Sequence, residues 1–144
     1  PLTSERFRPR GNTPLLDALG KAIVRTGERL SSLPEARRPA KVIFVVITDG
    51  QENASHEYTR QQVFDMVTHQ RERYAWEVLF LGANQDAIAE AVRYGVPPAM
   101  AATYAGTPAS VRNVFAAVSA NVRSARTGAS ADFTDAQRKK LSQR

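Results

Sequence analysis

The chain contains no cysteine and no long apolar run, and both absences limit what the protein can be. Without cysteine there is no disulfide framework and no thiolate metal site. Cysteine usage therefore does not indicate whether the protein resides in an oxidising or a reducing compartment. The longest apolar run is far shorter than the roughly 20 residues that span a bilayer, and no signal-peptide pattern opens the chain. We therefore predict a soluble protein and expect it in the cytoplasm, although a start at Pro1 rather than at methionine leaves room for an upstream signal or anchor.

Acidic residues are also in the minority. There are 14 Asp and Glu against 20 Lys and Arg, which leaves a net charge of +6. This excess raises nucleic acid or an acidic partner as a candidate ligand. The basic residues are scattered, however, and cluster only near the ends of the chain, at 6–10 and 138–144. Terminal clusters are typical of solvated chain ends, so nucleic-acid binding is an alternative and not the main hypothesis.

The segment Val42 to Thr48 predicts a buried β-strand. Six consecutive apolar residues, most of them β-branched, are typical of a strand that helices cover on both faces of a parallel sheet. The strand is followed by Asp49 and Gly50, and glycine supplies the backbone freedom that a sharp turn requires. Ligands bind at the carboxyl ends of strands in open parallel sheets. Asp49 is therefore the first candidate site residue.

Helices and strands alternate along the rest of the chain. The patterns predict helices over 14–33, 59–74, 85–94, 108–125 and 134–143, and further strands over 76–81 and 101–104. Thr59 with Gln62 and Thr134 with Gln137 have the spacing of capping boxes. This alternation predicts an α/β fold with a doubly wound, mostly parallel sheet between helices. We place the domain at residues 1–128 and interpret 129–144 as a linker and a peripheral C-terminal helix.

A sheet of only three strands leaves the strand 42–48 in an exposed position. An apolar strand with a free edge presents an unpaired backbone ladder, which natural proteins avoid because it promotes aggregation. We therefore expect a further strand beside 42–48, supplied either by polypeptide upstream of Pro1 or by another chain. On this view the chain is the C-terminal half of a larger sheet.

Two threonine–proline pairs, Thr13-Pro14 and Thr107-Pro108, predict helix starts, since threonine caps a helix and proline fits its first position. On these residues alone Thr13 is a helix cap or a ligand, and Asp49 is a turn residue or a ligand. Glu52 and Asn53 are interpreted as solvated loop residues. Asp86 is interpreted as an acidic residue that favours the start of the following helix.

Three stretches together resemble the von Willebrand factor type A domain: GNTPL at 11–15, the buried strand ending in TDG at 48–50, and EN at 52–53. The combination of ITDGQENAS with WEVLFLGANQDA is similar to bacterial and phage-type members, most of which have no assigned function. The resemblance covers residues 9–104. It implies a Rossmann-like fold and a metal-ion-dependent adhesion site, with Thr13 matching the family's threonine and Asp49 its distal aspartate. The implied ion is Mg²⁺, or else Mn²⁺ or Ca²⁺, and the implied partner is a protein that donates a carboxylate to that ion.

One segment of that site is missing from the sequence. The pattern D-x-S-x-S, which the family carries on its first strand beside the strand of the distal aspartate, occurs nowhere in this chain. Mg²⁺ favours near-octahedral coordination by oxygen. With only Thr13 and Asp49 as protein ligands, we expect this chain by itself to bind the ion weakly or not at all.

The leading functional prediction is therefore a protein-interaction module and not an enzyme. An alternative from another class is a Mg²⁺-dependent hydrolase or phosphotransferase, in which Asp49 and Asp86 hold a catalytic metal at adjacent strand ends. The chain has no phosphate-binding glycine loop and no evident base or nucleophile.

Overall fold

The computed structural model describes residues 12–83 and 86–143. In this part of the chain the helices are α1 Leu15–Ser31, α2 Arg60–Tyr74, α3 Ala87–Arg93, α4 Pro108–Arg126 and α5 Asp135–Leu141, and the strands are β1 Ile43–Thr48, β2 Glu77–Ala83 and β3 Ala101–Tyr104. The predicted alternation is confirmed. Gly11 of the first motif and the predicted helix start at Gln85 lie outside the described residues. None of the described helices has both the length and the apolar character needed to cross a lipid bilayer.

The three strands form one parallel sheet in the order β1, β2, β3. Ile43 lies opposite Glu77 at the start of the first pair of strands, and Phe80 lies opposite Ala101 in the second. Both capping boxes predicted from sequence are present, at the starts of α2 and α5. The predicted class, an α/β fold with a parallel sheet flanked by helices, is therefore confirmed, and it is consistent with a Rossmann-like fold.

Helices cover both faces of β2. On one face Val78 and Phe80 belong to a core cluster with residues of α1, α2 and α3. On the other face Leu79 and Leu81 belong to a second cluster with residues of α4 and α5. Because β2 is sandwiched in this way, its residues from Val78 onward are buried.

The burial of β1 differs from the prediction. Val46 and Thr48 are buried on the face that α1 and α2 cover, but Val45 and Ile47 on the other face are 37% and 42% exposed. The prediction that helices cover both faces of this strand was wrong for the described residues, because on the second face only Ile43 packs against the core cluster of α4 and α5. Together with the sheet order, this places β1 at an edge with no neighbouring strand among the described residues.

The C-terminal helix α5 is more firmly attached than the predicted peripheral helix. Leu141 is fully buried, and Phe133 just before the helix is buried in the same cluster. The Leu141 carbonyl accepts hydrogen bonds from the Ala105 N–H at 2.9 Å and from the Ser110 hydroxyl at 2.6 Å. Leu141 is the one buried residue of α5, and because it is completely covered the helix is an integral part of the second core cluster.

Candidate functional site

The start of α1 and the turn after β1 lie against each other. The Thr13 N–H donates to Asn53 Oδ1 at 2.8 Å, and the Asn53 N–H donates to the Thr13 carbonyl at 3.3 Å. Asn53, interpreted from sequence as a solvated loop residue, is exposed and is also the hydrogen-bonding partner of Thr13. The fold thus brings together two of the segments on which the family resemblance rests.

Gly50 has a different role from the one predicted. Its φ angle is not in the left-handed region, so the turn does not require the conformational freedom of glycine. A Cβ at this position would instead lie 2.7 Å from Thr13 Oγ1, closer than van der Waals contact allows. Glycine is needed here because the threonine hydroxyl occupies the space beside the backbone.

Thr13 does not cap α1, although the sequence offered that interpretation. The N-cap position is Pro14, and no side chain of its own segment caps the helix. Thr107 in the second threonine–proline pair does cap its helix, since its hydroxyl accepts the Ser110 N–H at 3.2 Å. The Thr13 hydroxyl, in contrast, makes no hydrogen bond with any residue that the structure describes.

Glu52 takes over the capping of α1 from the other side of the site. Its Oε2 accepts the Leu16 N–H at 2.8 Å, and its Oε1 accepts the N–H groups of Ala54 and Ser55 at 3.0 and 2.7 Å. Burial by itself would raise the pKa of Glu52, but these hydrogen bonds, led by that of Leu16, outweigh it and lower the pKa. The interpretation as a solvated loop residue was wrong, because Glu52 is half-buried and one of its partners, Leu16, lies on a helix distant in sequence.

Asp17 makes a second connection between α1 and the same loop. Its carboxylate accepts backbone N–H groups from His56 at 2.9 Å, Glu57 at 3.0 Å and Tyr58 at 2.9 Å. These bonds, the one from His56 first among them, lower the pKa of Asp17. Two carboxylates therefore hold the loop 50–58 against the first turn of α1.

Asp49 lies at the carboxyl end of β1, as predicted. The preceding Thr48 hydroxyl donates to the Gly50 carbonyl at 2.8 Å, so that the turn is closed by Thr48 and not by the aspartate. The Asp49 side chain is exposed and forms no hydrogen bond or ion pair with another described residue. Its carboxylate is therefore available to a ligand.

Tyr104 is a neighbour of Asp49 that the sequence did not indicate. Its hydroxyl lies at the end of β3 and donates to the Thr48 carbonyl at 3.3 Å. Burial, and secondarily the negative charge of Asp49, raise the pKa of Tyr104. The position of this tyrosine at the carboxyl end of a predicted strand was the only available signal.

The donor set at this edge of the sheet is small. Asp49 supplies a carboxylate and Thr13 a hydroxyl, and both are oxygen ligands of the kind that Mg²⁺ prefers. Among the described residues no three His, Asp or Glu side chains come together to hold a metal ion. Asp86, in the catalytic alternative, accepts the Ala89 N–H at 3.0 Å as the N-cap of α3, which confirms its predicted place at that helix start.

Comparison of the chain with models of known protein families, with curated proteins and with solved structures found no match in any of the three. The features that indicate a function are therefore the fold and the contacts around Thr13 and Asp49.

Proposed function

We propose that this chain is part of a protein-interaction module of the von Willebrand factor type A kind, with a divided metal site built around Thr13 and Asp49. The observation that carries the proposal is the contact between Thr13 and the turn at Gly50, which sets an unused hydroxyl beside the residue that follows the Asp49 carboxylate. The Thr13 side chain does not cap α1, and this supports the assignment of Thr13 as a metal ligand.

The metal of the proposed site is a divalent hard cation, Mg²⁺ in the first place and Mn²⁺ or Ca²⁺ as alternatives. Two protein oxygens leave most positions of an octahedral shell to water or to ligands from elsewhere. By itself the chain is expected to bind such an ion weakly. In the completed site, the carboxylate of a partner protein occupies one of the open positions, and the ion bridges the two proteins.

The open edge of β1 supports the second half of the proposal, a further strand beside it. The Glu77 N–H donates to the Val42 carbonyl, and in a parallel ladder alternate residues direct their backbone groups to the same neighbour. The backbone groups of Ile43, Val45 and Ile47 therefore point away from β2. A strand from upstream polypeptide or from another chain would pair with them and would help to cover the exposed side chains of Val45 and Ile47.

Calorimetric titration with Mg²⁺ or Mn²⁺ tests the metal site. The chain together with the polypeptide that supplies the neighbouring strand is expected to bind the ion, and Asp49→Ala and Thr13→Val are expected to weaken binding strongly. Asp132→Ala, a change of an exposed aspartate between α4 and α5, is the matched control. Binding that is unchanged in Asp49→Ala would overturn the assignment of that residue.

A further inference from the structure

A groove lies at the end of the sheet opposite Asp49. None of the residues that line it belongs to the proposed metal site. The groove lies between the C-terminal half of α1, the segment 33–41 and the start of β1, and encloses about 590 Å³. Val42 at the amino end of β1 contributes to its lining, so the groove lies roughly 20 Å from Asp49 at about 3.3 Å per strand residue. It is a separate surface.

The walls of the groove carry three arginines without partners. Arg25 and Arg29 stand one helical turn apart on α1, and Arg37 faces the groove from the 3-10 turn Glu35–Arg37. All three are exposed, and none of their guanidinium groups forms an ion pair or hydrogen bond with a residue that the structure describes. Three positive charges around one groove favour the binding of an anionic ligand.

The neighbouring cations do not contribute in the same way. Lys41 also lines the groove, but it is paired with Glu77, and its charge is offset. Arg38 donates to the Leu33 and Ser31 carbonyls after the end of α1. The described residues that line the groove include no Asp or Glu. Its positive charge therefore comes mainly from the three unpaired guanidinium groups.

The floor of the groove is apolar. It is formed by the side chains of Leu30, Leu33, Pro39 and Val42, of which Leu30 and Val42 also pack against the first core cluster. Nucleic acid is recognised through phosphate contacts together with stacking of bases on aromatic rings. Among the described residues, Tyr74 and Trp76 line the adjoining pocket and not the groove itself. Arginines around an apolar floor instead match a peptide that carries carboxylates and an aliphatic side chain.

We propose that this groove binds an acidic peptide segment of a partner protein, with an aliphatic side chain on the apolar floor and flanking Asp or Glu side chains paired with Arg25, Arg29 and Arg37. The sequence showed only scattered basic residues here. The fold brings Arg37 beside the helix that carries the other two.

The test is fluorescence anisotropy with a labelled peptide of repeated Glu-Asp-Leu triplets. The wild-type chain is expected to bind this peptide at low salt and to lose affinity as the salt concentration rises, since exposed charge pairs are screened. Arg25→Glu/Arg37→Glu is expected to weaken binding by roughly tenfold or more, because exposed pairs are individually modest but both reversed residues now repel the peptide. Arg25→Glu also places a carboxylate one turn before Arg29, a favourable helical pair, so the fold should be retained.

Three controls decide the outcome. Arg112→Glu/Arg123→Glu changes the net charge equally at exposed positions on α4 and should leave affinity nearly unchanged. A peptide of Glu-Asp-Ser triplets should bind more weakly than the leucine peptide, and Leu33→Ser should remove that difference. Equal weakening by both arginine pairs, equal binding of the two peptides, or tighter binding of labelled oligothymidylate than of the leucine peptide would each overturn the proposal.

Discussion

The hydroxyl of Thr13 occupies the space that a side chain at position 50 would need: its Oγ1 lies 2.7 Å from the place of a Cβ on Gly50. The next atom of Thr13, its Cβ, is 3.7 Å from that place, which is an ordinary contact. The two residues therefore fit together because Gly50 has no methyl group that would collide with the Thr13 hydroxyl.

A double-mutant cycle on this pair tests the contact. Gly50→Ala is expected to destabilise the chain by about 1 kcal/mol because the new methyl group displaces the hydroxyl, and Thr13→Ala removes the obstacle. In the Thr13→Ala background the same glycine change should cost little, which gives a coupling energy of about 0.5–1 kcal/mol in urea unfolding. Additive effects of the two changes would show that the residues do not touch in solution.

Two glycines of α1 offer a matched comparison. A Cβ on Gly20 would lie 2.5 Å from ring atoms of Tyr58, whereas one on Gly27 would meet nothing within 4 Å. Gly27→Ala is expected to stabilise the chain by about 0.5–1 kcal/mol through helix propensity alone. Gly20→Ala should destabilise it by about 1–2 kcal/mol, because overpacking exceeds the same gain. Thermal unfolding should therefore move the two melting temperatures in opposite directions, and a common direction would contradict the packing of Tyr58 on α1.

Acid should weaken the attachment of loop 50–58. The pKa values of Asp17 and Glu52 in the folded chain lie below their ordinary values of 3.8 and 4.5. The unfolded chain therefore takes up protons first as the pH falls, and the stability that these carboxylates contribute is complete above about pH 4.5 and is lost below it. Urea unfolding at a series of pH values should show a declining free energy of unfolding in this acid range.

Amide variants separate this effect from general acid denaturation. Asp17→Asn and Glu52→Gln should lower stability at neutral pH and flatten its decline in acid, because neither amide titrates. Asp132→Asn, at an exposed position, should leave the pH profile unchanged. If the free energy of unfolding declined in acid as steeply in both amide variants as in the wild type, these two carboxylates would not be the cause of the decline.

The burial of α5 predicts that its last residue is needed for stability. Leu141→Ala is expected to cost about 2–5 kcal/mol, because it leaves a cavity in the second core cluster. Val92→Ala on α3, where the side chain is exposed, should change the free energy of unfolding by less than about 0.5 kcal/mol. If both changes had similar small effects on the free energy of unfolding in urea, α5 would be a peripheral helix, as the sequence predicted.

The open edge of β1 makes a prediction for hydrogen exchange. In this chain alone the Val45 and Ile47 amides should exchange rapidly, while the Phe44 and Val46 amides, which face β2, should be protected. In the protein from the complete reading frame, or with the partner chain bound, Val45 and Ile47 should become protected as well. Rapid exchange of these two amides in the complete protein would argue against a neighbouring strand.

Some features of this protein follow from short stretches of its sequence. The alternation of elements and the capping boxes at Thr59 and Thr134 depend on residues within a few positions of each other, and these predictions are confirmed. The place of Asp49 at the end of β1 follows from its position after an apolar run. The binding of Mg²⁺ by Thr13 in a completed metal site stays a prediction.

Other features were decided only when distant segments came together. Thr13 and Thr107 precede proline in the same way, yet only Thr107 caps its helix, because Glu52 reaches α1 from a loop that is far away in sequence. Gly50 is required by a neighbouring hydroxyl and not by its own backbone angle.

The sequence by itself thus determined which segments become the main helices and strands and where β1 and β3 end, since local hydrogen bonding and hydrophobic periodicity govern both. Only the tertiary structure decided which face of β1 is open, which carboxylates hold the loop 50–58, and which arginines share a groove. Those properties depend on side chains that approach across the fold, and no local pattern encodes their distances.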